Sequence, residues 1–239
     1  MSTIQRQARR AGWLYLLVGL SAPIGLIYVP GKLIASGDAT LTADHIRASG
    51  ALLRIGIASE LFHQTVFIFL ILALYRLLKT VDESLAQLMV ILGALVSVPI
   101  VFVNVVNELA ALALVDGSRY LSVFSKDQVD AMAYLFLRLH GLGIIVAGIF
   151  WGLWLFPFGA LVIRSGFIPR LLGLLLILAG IGNLAGSCTS ILFPAYRHLV
   201  DPIAMVLEAG ELPMLVWLLV WGARAKSPEG SVPGRITVE

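Results

Sequence analysis

Long runs of apolar residues separated by short polar segments make up most of the chain. A helix rises about 1.5 Å per residue and a bilayer's hydrocarbon core is about 30 Å thick, so about 20 apolar residues suffice for a span. The runs of this length are Ala11–Val29, Ala51–Leu78, Leu85–Val115, Val129–Ile163, Leu171–Phe193 and Pro202–Trp221. They are continuously apolar rather than alternating, which favours helices over barrel strands. The pattern predicts an all-α polytopic transmembrane helix bundle with six spans.

Helix-start signals and loop lengths divide the chain further. Thr80 with Glu83, and Ser125 with Gln128, have the spacing of a capping box, and Pro169 suits a first helical turn. The segments between the runs are short, so we expect one transmembrane domain over residues 1–224. Serine, proline and glycine mark residues 225–239, which we expect to form a disordered cytoplasmic tail.

Basic residues beside the spans predict the orientation, because Lys and Arg are retained on the cytoplasmic side. An even number of spans puts both termini on one side. That side would carry Arg6, Arg9, Arg10, Arg76, Lys79, Arg164, Arg170, Arg224, Lys226 and Arg235. The other side would carry Lys32, Arg47, Arg119, Lys126 and Arg197. The excess predicts that both termini are cytoplasmic.

The composition excludes several classes of protein. Hydrophobic residues make up 59% of the 239 residues and charged residues 13%, against about 25% charged in soluble domains. The net charge is only +3, so a nucleic-acid partner is not expected. With Cys188 as the single cysteine, no internal disulfide is expected. The lipid bilayer is the expected partner, and a membrane-protein partner or a second copy of the chain remains open.

Polar side chains inside the spans are the candidate functional residues, because ionisable groups in a bilayer are costly and usually mark a site. Spacings of three or four residues put several of them on shared helical faces. Depths counted along the helices place them in one layer of the outer half. The candidates for binding a ligand are Glu60, His63, Gln64, Asn104, Asn107, Glu108, His140, Asn183, Glu208 and Glu211.

Three interpretations of this layer stay open. The polar groups hold helices together by hydrogen bonds, or they line a pocket for a small ligand, ion or proton, or they hold a metal or haem. Glu60 and His63 have the Glu-x-x-His spacing of carboxylate di-metal bundles, and His63 with His140 offers a pair of axial haem ligands. The weak metal candidates are Glu60, His63, Glu108, His140 and Glu211.

Several phrases in the chain resemble a known family. They include Gly37-Asp38-Ala39, Ala73-Leu74-Tyr75-Arg76, Leu139-His140-Gly141-Leu142-Gly143 and Ser165-Gly166-Phe167-Ile168-Pro169-Arg170. Together they resemble the bacterial integral membrane family catalogued as domain of unknown function 4386, over about residues 8–222. The resemblance implies a multi-helix protein of the bacterial cytoplasmic (inner) membrane with no assigned activity. It points to His140, and acidic residues are common in the family at the positions of Glu60 and Glu211.

The leading hypothesis is therefore a non-enzymatic membrane protein that binds or senses a small ligand or ion in an outer-half polar pocket, or serves as a subunit of a membrane assembly. The alternative is a membrane metalloprotein or haem-type oxidoreductase. The expected pocket is formed by Glu60, His63, Glu108, His140 and Glu211.

Overall fold

The structure is a computed structural model that describes residues 3–117 and 119–223. Besides a short 3₁₀ segment at Arg119–Val123, the described chain forms α1 (Thr3–Leu33), α2 (Ala39–Ala48), α3 (Gly50–Leu78), α4 (Glu83–Val115), α5 (Lys126–Ser165), α6 (Arg170–Leu192) and α7 (Pro194–Val220). All of these except α2 are long and apolar enough to cross a membrane. The prediction of an all-α bundle with six candidate spans is confirmed. The tail predicted over 225–239 lies outside the described residues.

Two helices begin well before the apolar runs predict, because polar residues continue the helix beyond the run. Helix α1 begins at Thr3 rather than Ala11, and its Arg9 Nη2 donates a hydrogen bond to the Val220 carbonyl oxygen at 3.2 Å. The first turns of α1 and the last turn of α7 therefore meet at one end of the bundle, called here the termini end. The opposite end carries α2 and is called the α2 end. Helix α7 begins at Pro194 and runs through Pro202 rather than starting there.

The caps confirm one predicted signal and correct another. Ser125 and Gln128 form the capping box expected at the start of α5. Thr80 does not cap α4. Asp82 is the capping residue instead, and its carboxylate accepts a hydrogen bond from the Leu85 N–H at 3.1 Å. A carboxylate directly before the helix satisfies an otherwise unpaired N–H, and its negative charge suits the helix N-terminus.

Two spans widen locally into π-helical turns. These turns lie at Ile24–Tyr28 in α1 and at Ile91–Val96 in α4. Each is followed within three residues by a proline, Pro30 or Pro99, and a proline has no N–H for the usual helical hydrogen bond. Such turns disturb the regular face of a helix and are frequent at functional sites.

Close packing of the spans depends on glycine. Helix α1 packs on α3 and α7, α4 packs on α5, and α6 packs on both α5 and α7. An ideal Cβ on Gly152 of α5 would lie 2.8 Å from the Gly180 carbonyl oxygen of α6, and the converse distance is also 2.8 Å. Without side chains at this crossing, the two backbones approach closely, as in other small-residue contacts between membrane helices.

The buried apolar residues form two separate clusters. The cluster toward the termini end includes Leu70, Leu74 and Phe158. The cluster toward the α2 end includes Val29, Ile46 and Leu137. Along α1, α3 and α5, buried polar residues stand between the parts that belong to the two clusters. A polar layer thus divides the apolar interior and positions the candidate site.

Candidate functional site

Three helices bring Glu60, Glu108 and His140 together in the polar layer. Glu60 comes from α3, Glu108 from α4 and His140 from α5, and all three side chains are buried. One ligand atom from each lies within 4.8 Å of the other two. We call this group the carboxylate-imidazole cluster. Among the described residues it is the group of three His, Cys, Asp or Glu side chains with the spacing of a metal site.

The imidazole stands between the two carboxylates. His140 Nε2 lies 3.1 Å from Glu60 Oε2, which is hydrogen-bonding distance. The same nitrogen lies 3.8 Å from Glu108 Oε2. A buried carboxylate is costly unless a positive charge or hydrogen-bond donors compensate for the lost water. One imidazole therefore serves two carboxylates that have little contact with solvent.

Asparagines hold the backbone next to the cluster. Asn104 Nδ2 donates a hydrogen bond to the His140 carbonyl oxygen at 2.9 Å, and Asn107 Nδ2 donates to Asn104 Oδ1 at 3.0 Å. Gly143, one turn along α5 from His140, leaves the space that the Asn104 side chain occupies. These contacts hold α4 against α5 and fix the position of the His140 backbone.

The carboxylates keep hydrogen-bonding capacity that nothing in the described part of the chain uses. Glu60 Oε1 and Glu108 Oε2 are buried and have no hydrogen-bond partner among the described residues. Glu108 and His140 also line a cavity of about 20 Å³, closed by apolar residues such as Leu33 and Ile46. A cavity needs about 10–15 Å³ to hold one water molecule. The cluster thus borders room for a single small ligand.

A second group of candidates surrounds a different cavity. His63, Asn183, Glu208 and Glu211 line a space of about 210 Å³, together with Tyr15 and aromatic side chains of α3 and α5. We call it the aromatic cavity. Its full lining is Tyr15, Val18, Ala22, Leu26, His63, Phe67, Trp151, Trp154, Asn183, Glu208 and Glu211.

Hydrogen bonds with α1 hold two of the ionisable groups that line the aromatic cavity, Glu211 and His63. The Tyr15 hydroxyl donates to Glu211 Oε2 at 2.5 Å. His63 Nδ1 lies 3.2 Å from the Val18 carbonyl oxygen, and its ring stacks on Phe67 with centroids 6.2 Å apart. Glu208 has no hydrogen bond or ion pair among the described residues.

The aromatic cavity continues toward the α2 end. A neighbouring space of about 390 Å³ shares Trp151, Asn183 and Glu208 with it and reaches Arg197 and Asp201 near the start of α7. Only Ala204 is buried in the first part of α7, Arg197–Glu208. This part of α7 packs on α6 through Ala204, and beside that contact a groove lies between α5, α6 and α7.

The structure therefore divides the pocket expected from the sequence. Glu60, Glu108 and His140 meet, with Asn104 and Asn107 beside them, whereas His63 and Glu211 face the aromatic cavity. Gln64 is buried, and its Oε1 has no hydrogen-bond partner within residues 3–117 and 119–223. The cavity lined by His63 does not include His140, and the cavity lined by His140 does not include His63. This geometry gives no support to a pair of axial haem ligands.

Sequence reasoning missed two residues that shape these sites. Tyr15 was part of an apolar run, and only its hydroxyl contact with Glu211 distinguishes it. Gly25 lies in the π-helical turn of α1 and packs directly on Glu60. The prolines on either side of it, Pro23 and Pro30, were the available signal of an irregular helix there.

Comparison with known proteins identifies a family. No curated protein and no solved structure gives a significant match to the chain. The family model described as domain of unknown function (DUF4386) matches residues 10–222, in agreement with the resemblance in the sequence phrases. The match covers all six candidate spans apart from the first turns of α1. The chain belongs to the DUF4386 family.

Proposed function

We propose that this membrane protein binds a divalent transition-metal cation at the carboxylate-imidazole cluster. The observation that carries the proposal is that one buried carboxylate oxygen on each of Glu60 and Glu108, beside the imidazole of His140, has no hydrogen-bond partner among the described residues. A cluster that served only to hold helices together would be expected to use these oxygens in hydrogen bonds, because unsatisfied buried acceptors are costly.

The distances between the ligand atoms suit an ion the size of zinc. Two ligand atoms that are each about 2.1 Å from a tetrahedral zinc ion are about 3.4 Å apart. The separations from His140 Nε2 to the two carboxylate oxygens, 3.1 and 3.8 Å, lie on either side of that value. All three ligand atoms lie within 4.8 Å of one another, so side-chain rotations that shorten the longer separations would place three ligands around one ion. The adjacent cavity of about 20 Å³ leaves room for a water molecule as a further ligand.

The charges and donor types favour a divalent cation. Two ionised carboxylates with a neutral imidazole carry two negative charges, which one divalent ion would neutralise inside the bundle. Imidazole suits zinc, iron and copper, and carboxylate oxygens suit harder ions such as manganese. The mixed set fits zinc, ferrous iron or manganese. Helical spans rather than barrel strands further suit the cytoplasmic membrane of a bacterium as the location we propose.

Metal titration of the full chain in detergent tests the proposal. We expect about one zinc ion per chain by elemental analysis, and an absorption band with cobalt as a spectroscopic substitute. Glu108→Gln keeps the shape of the side chain but removes its charge. We expect it to weaken zinc binding by more than about a hundredfold, which exceeds the loss typical of removing a residue that only hydrogen-bonds to a metal ligand. His140→Ala should abolish the imidazole-dependent part of the cobalt spectrum.

Glu83→Gln is the matched control. Glu83 is exposed at the start of α4, 25 residues before Glu108 in the same helix, and its side chain contacts Tyr75 rather than the cluster. The control should bind zinc as the wild type does. Equal zinc content in Glu108→Gln and wild type, with both proteins monodisperse, would overturn the proposal. So would the absence of saturable zinc binding to the wild type, and helix-helix hydrogen bonding would then be the role of the cluster.

A further inference from the structure

We propose that the aromatic cavity binds a small organic ammonium cation. This inference does not depend on the metal site, since the two sites use different side chains. A substituted ammonium group, either on a free amine or on a lipid headgroup, is the shared chemistry. Three properties of the cavity lead to this class of ligand: its charge, its aromatic walls and its opening.

The lining of the cavity is acidic. Glu208 and Glu211 belong to it, and it includes no lysine or arginine. The neighbouring space adds Asp201 and Arg197, which form an ion pair with each other at 3.2 Å. The arginine charge is therefore already balanced, which leaves the carboxylates of Glu208 and Glu211. In their ionised form these carboxylates would attract a cation and repel an anionic ligand.

The walls are suited to a cation with an apolar body. Trp151, Trp154 and Phe67 line the space, and π faces attract ammonium groups most strongly when water is excluded. Trp154 is held by edge-to-face contact with Phe67, with centroids 5.3 Å apart, and by stacking on Phe158 at the same distance. A fixed wall loses little conformational freedom when a ligand binds, which favours affinity.

One carboxylate is held in position and the other is free to respond. The Tyr15 hydroxyl donates a hydrogen bond to Glu211 Oε2, which holds that carboxylate in place within the cavity. Glu208, one turn earlier in α7, has no partner within the described residues and borders both the aromatic cavity and the groove toward the α2 end. An ammonium ligand entering along the groove would meet Glu208 first and Glu211 last.

Phenyltrimethylammonium and tert-butylbenzene give a matched pair of probes, because they share one shape and differ by one positive charge. Radiolabelled phenyltrimethylammonium would be equilibrated with the full chain in phosphatidylglycerol nanodiscs, with empty nanodiscs as the blank. We expect saturable binding of about one probe per chain. We expect tert-butylbenzene to compete at least about tenfold less well, since charge accounts for much of the affinity.

Substitutions then test the individual contacts. We expect Glu211→Gln to weaken binding by about tenfold or more, and Trp151→Leu by about three- to tenfold. Because Glu211 also contacts Tyr15, its variant risks a folding defect. Glu208→Gln removes only the charge of a side chain that has no hydrogen bond in the described chain, so it keeps the test valid, with an expected weakening of several-fold. Asp127→Asn removes an exposed carboxylate outside the cavity and should leave binding unchanged.

The outcomes separate clearly. Weaker binding in Glu208→Gln and Trp151→Leu, with poor competition by the uncharged probe, supports the proposal. No saturable binding, or equal competition by tert-butylbenzene, overturns it. Repeating the titration in nanodiscs that contain phosphatidylethanolamine distinguishes the source. Loss of probe binding there identifies a lipid headgroup as the natural ammonium, and unchanged binding identifies a free amine.

Discussion

Gly25 lies directly against Glu60. An ideal Cβ on Gly25 would be 2.6 Å from Glu60 Cγ and 3.4 Å from Glu60 Oε1. The π-helical turn that contains Gly25 thus presents bare backbone to the carboxylate. Helix α1 contributes no ligand atom to the carboxylate-imidazole cluster, yet it sets the space in which the Glu60 side chain can lie.

Gly25→Ala should therefore disturb the cluster. Forcing one methyl group into a packed interior costs about 1–3 kcal/mol, and here it would displace Glu60 from His140. We expect a lower unfolding temperature and weaker zinc binding in the same detergent. Gly31→Ala is the control in the same helix, because nothing lies within 4 Å of a Cβ placed there. Equal stability and zinc affinity of the two variants would contradict this account of Gly25.

The Tyr15–Glu211 hydrogen bond predicts a loss of stability in Tyr15→Phe. The substitution removes only the hydroxyl that donates a hydrogen bond to Glu211 Oε2 at 2.5 Å. Leaving a fully buried acceptor unpaired costs about 1–3 kcal/mol, and Glu211 is partly buried, so we expect a loss toward the lower end of that range. Thermal unfolding followed by tryptophan fluorescence would measure it. Tyr28→Phe, at a residue that is 55% exposed, should change stability by less than about 0.5 kcal/mol. An unchanged stability of Tyr15→Phe would contradict this prediction and would show that water replaces the hydroxyl.

Charged side chains attach α2 to α5 at the α2 end. Arg47 of α2 contacts both Asp44 and the buried carboxylate of Asp130, and Lys126 lies 2.8 Å from Asp130 and 3.3 Å from Asp44. The side-chain hydrogen bond from Arg47, followed by that from Lys126, lowers the pKa of Asp44 below its ordinary value. The hydrogen bond to Asp130 raises the pKa of Arg47.

This arrangement predicts a pH-dependent contribution from Asp44. A carboxyl whose pKa is lowered in the folded state stabilises the fold above its unfolded pKa, and the contribution is lost as pH falls through the folded value. The difference in unfolding temperature between wild type and Asp44→Asn should be present at pH 7 and should shrink as pH falls below about 4. Asp127→Asn, at an exposed carboxylate, serves as the control. A difference that persists undiminished at pH 3 would contradict the assignment.

The basic residues beside the spans predict that the termini end faces the cytoplasm. Cys188 is the single cysteine, so a Cys188→Ser background allows labelling of one introduced thiol at a time. We expect a membrane-impermeant maleimide to label Asp127→Cys in intact cells and Thr80→Cys only after permeabilisation. Both positions are exposed. The reverse pattern would overturn the orientation.

The sequence by itself determined the candidate spans and marked the polar residues within them. Apolar run length fixes how many helices can cross a bilayer, and local backbone chemistry fixed the Ser125 cap. Hydropathy also marked Glu60, Glu108 and His140 as costly residues in those spans. These properties depend on the residues themselves or on neighbours within one turn, so no knowledge of helix packing was needed.

Only the tertiary structure decided which polar residues share a site. Glu60 and His63 are three residues apart and so share one broad face of α3, yet Glu60 meets His140 while His63 meets the Val18 carbonyl oxygen. The rotation and crossing of each helix set these partners, and a one-dimensional count of depth contains neither quantity. For the same reason the contacts of Tyr15 with Glu211 and of Gly25 with Glu60 follow only from the packing of α1 against α7 and α3.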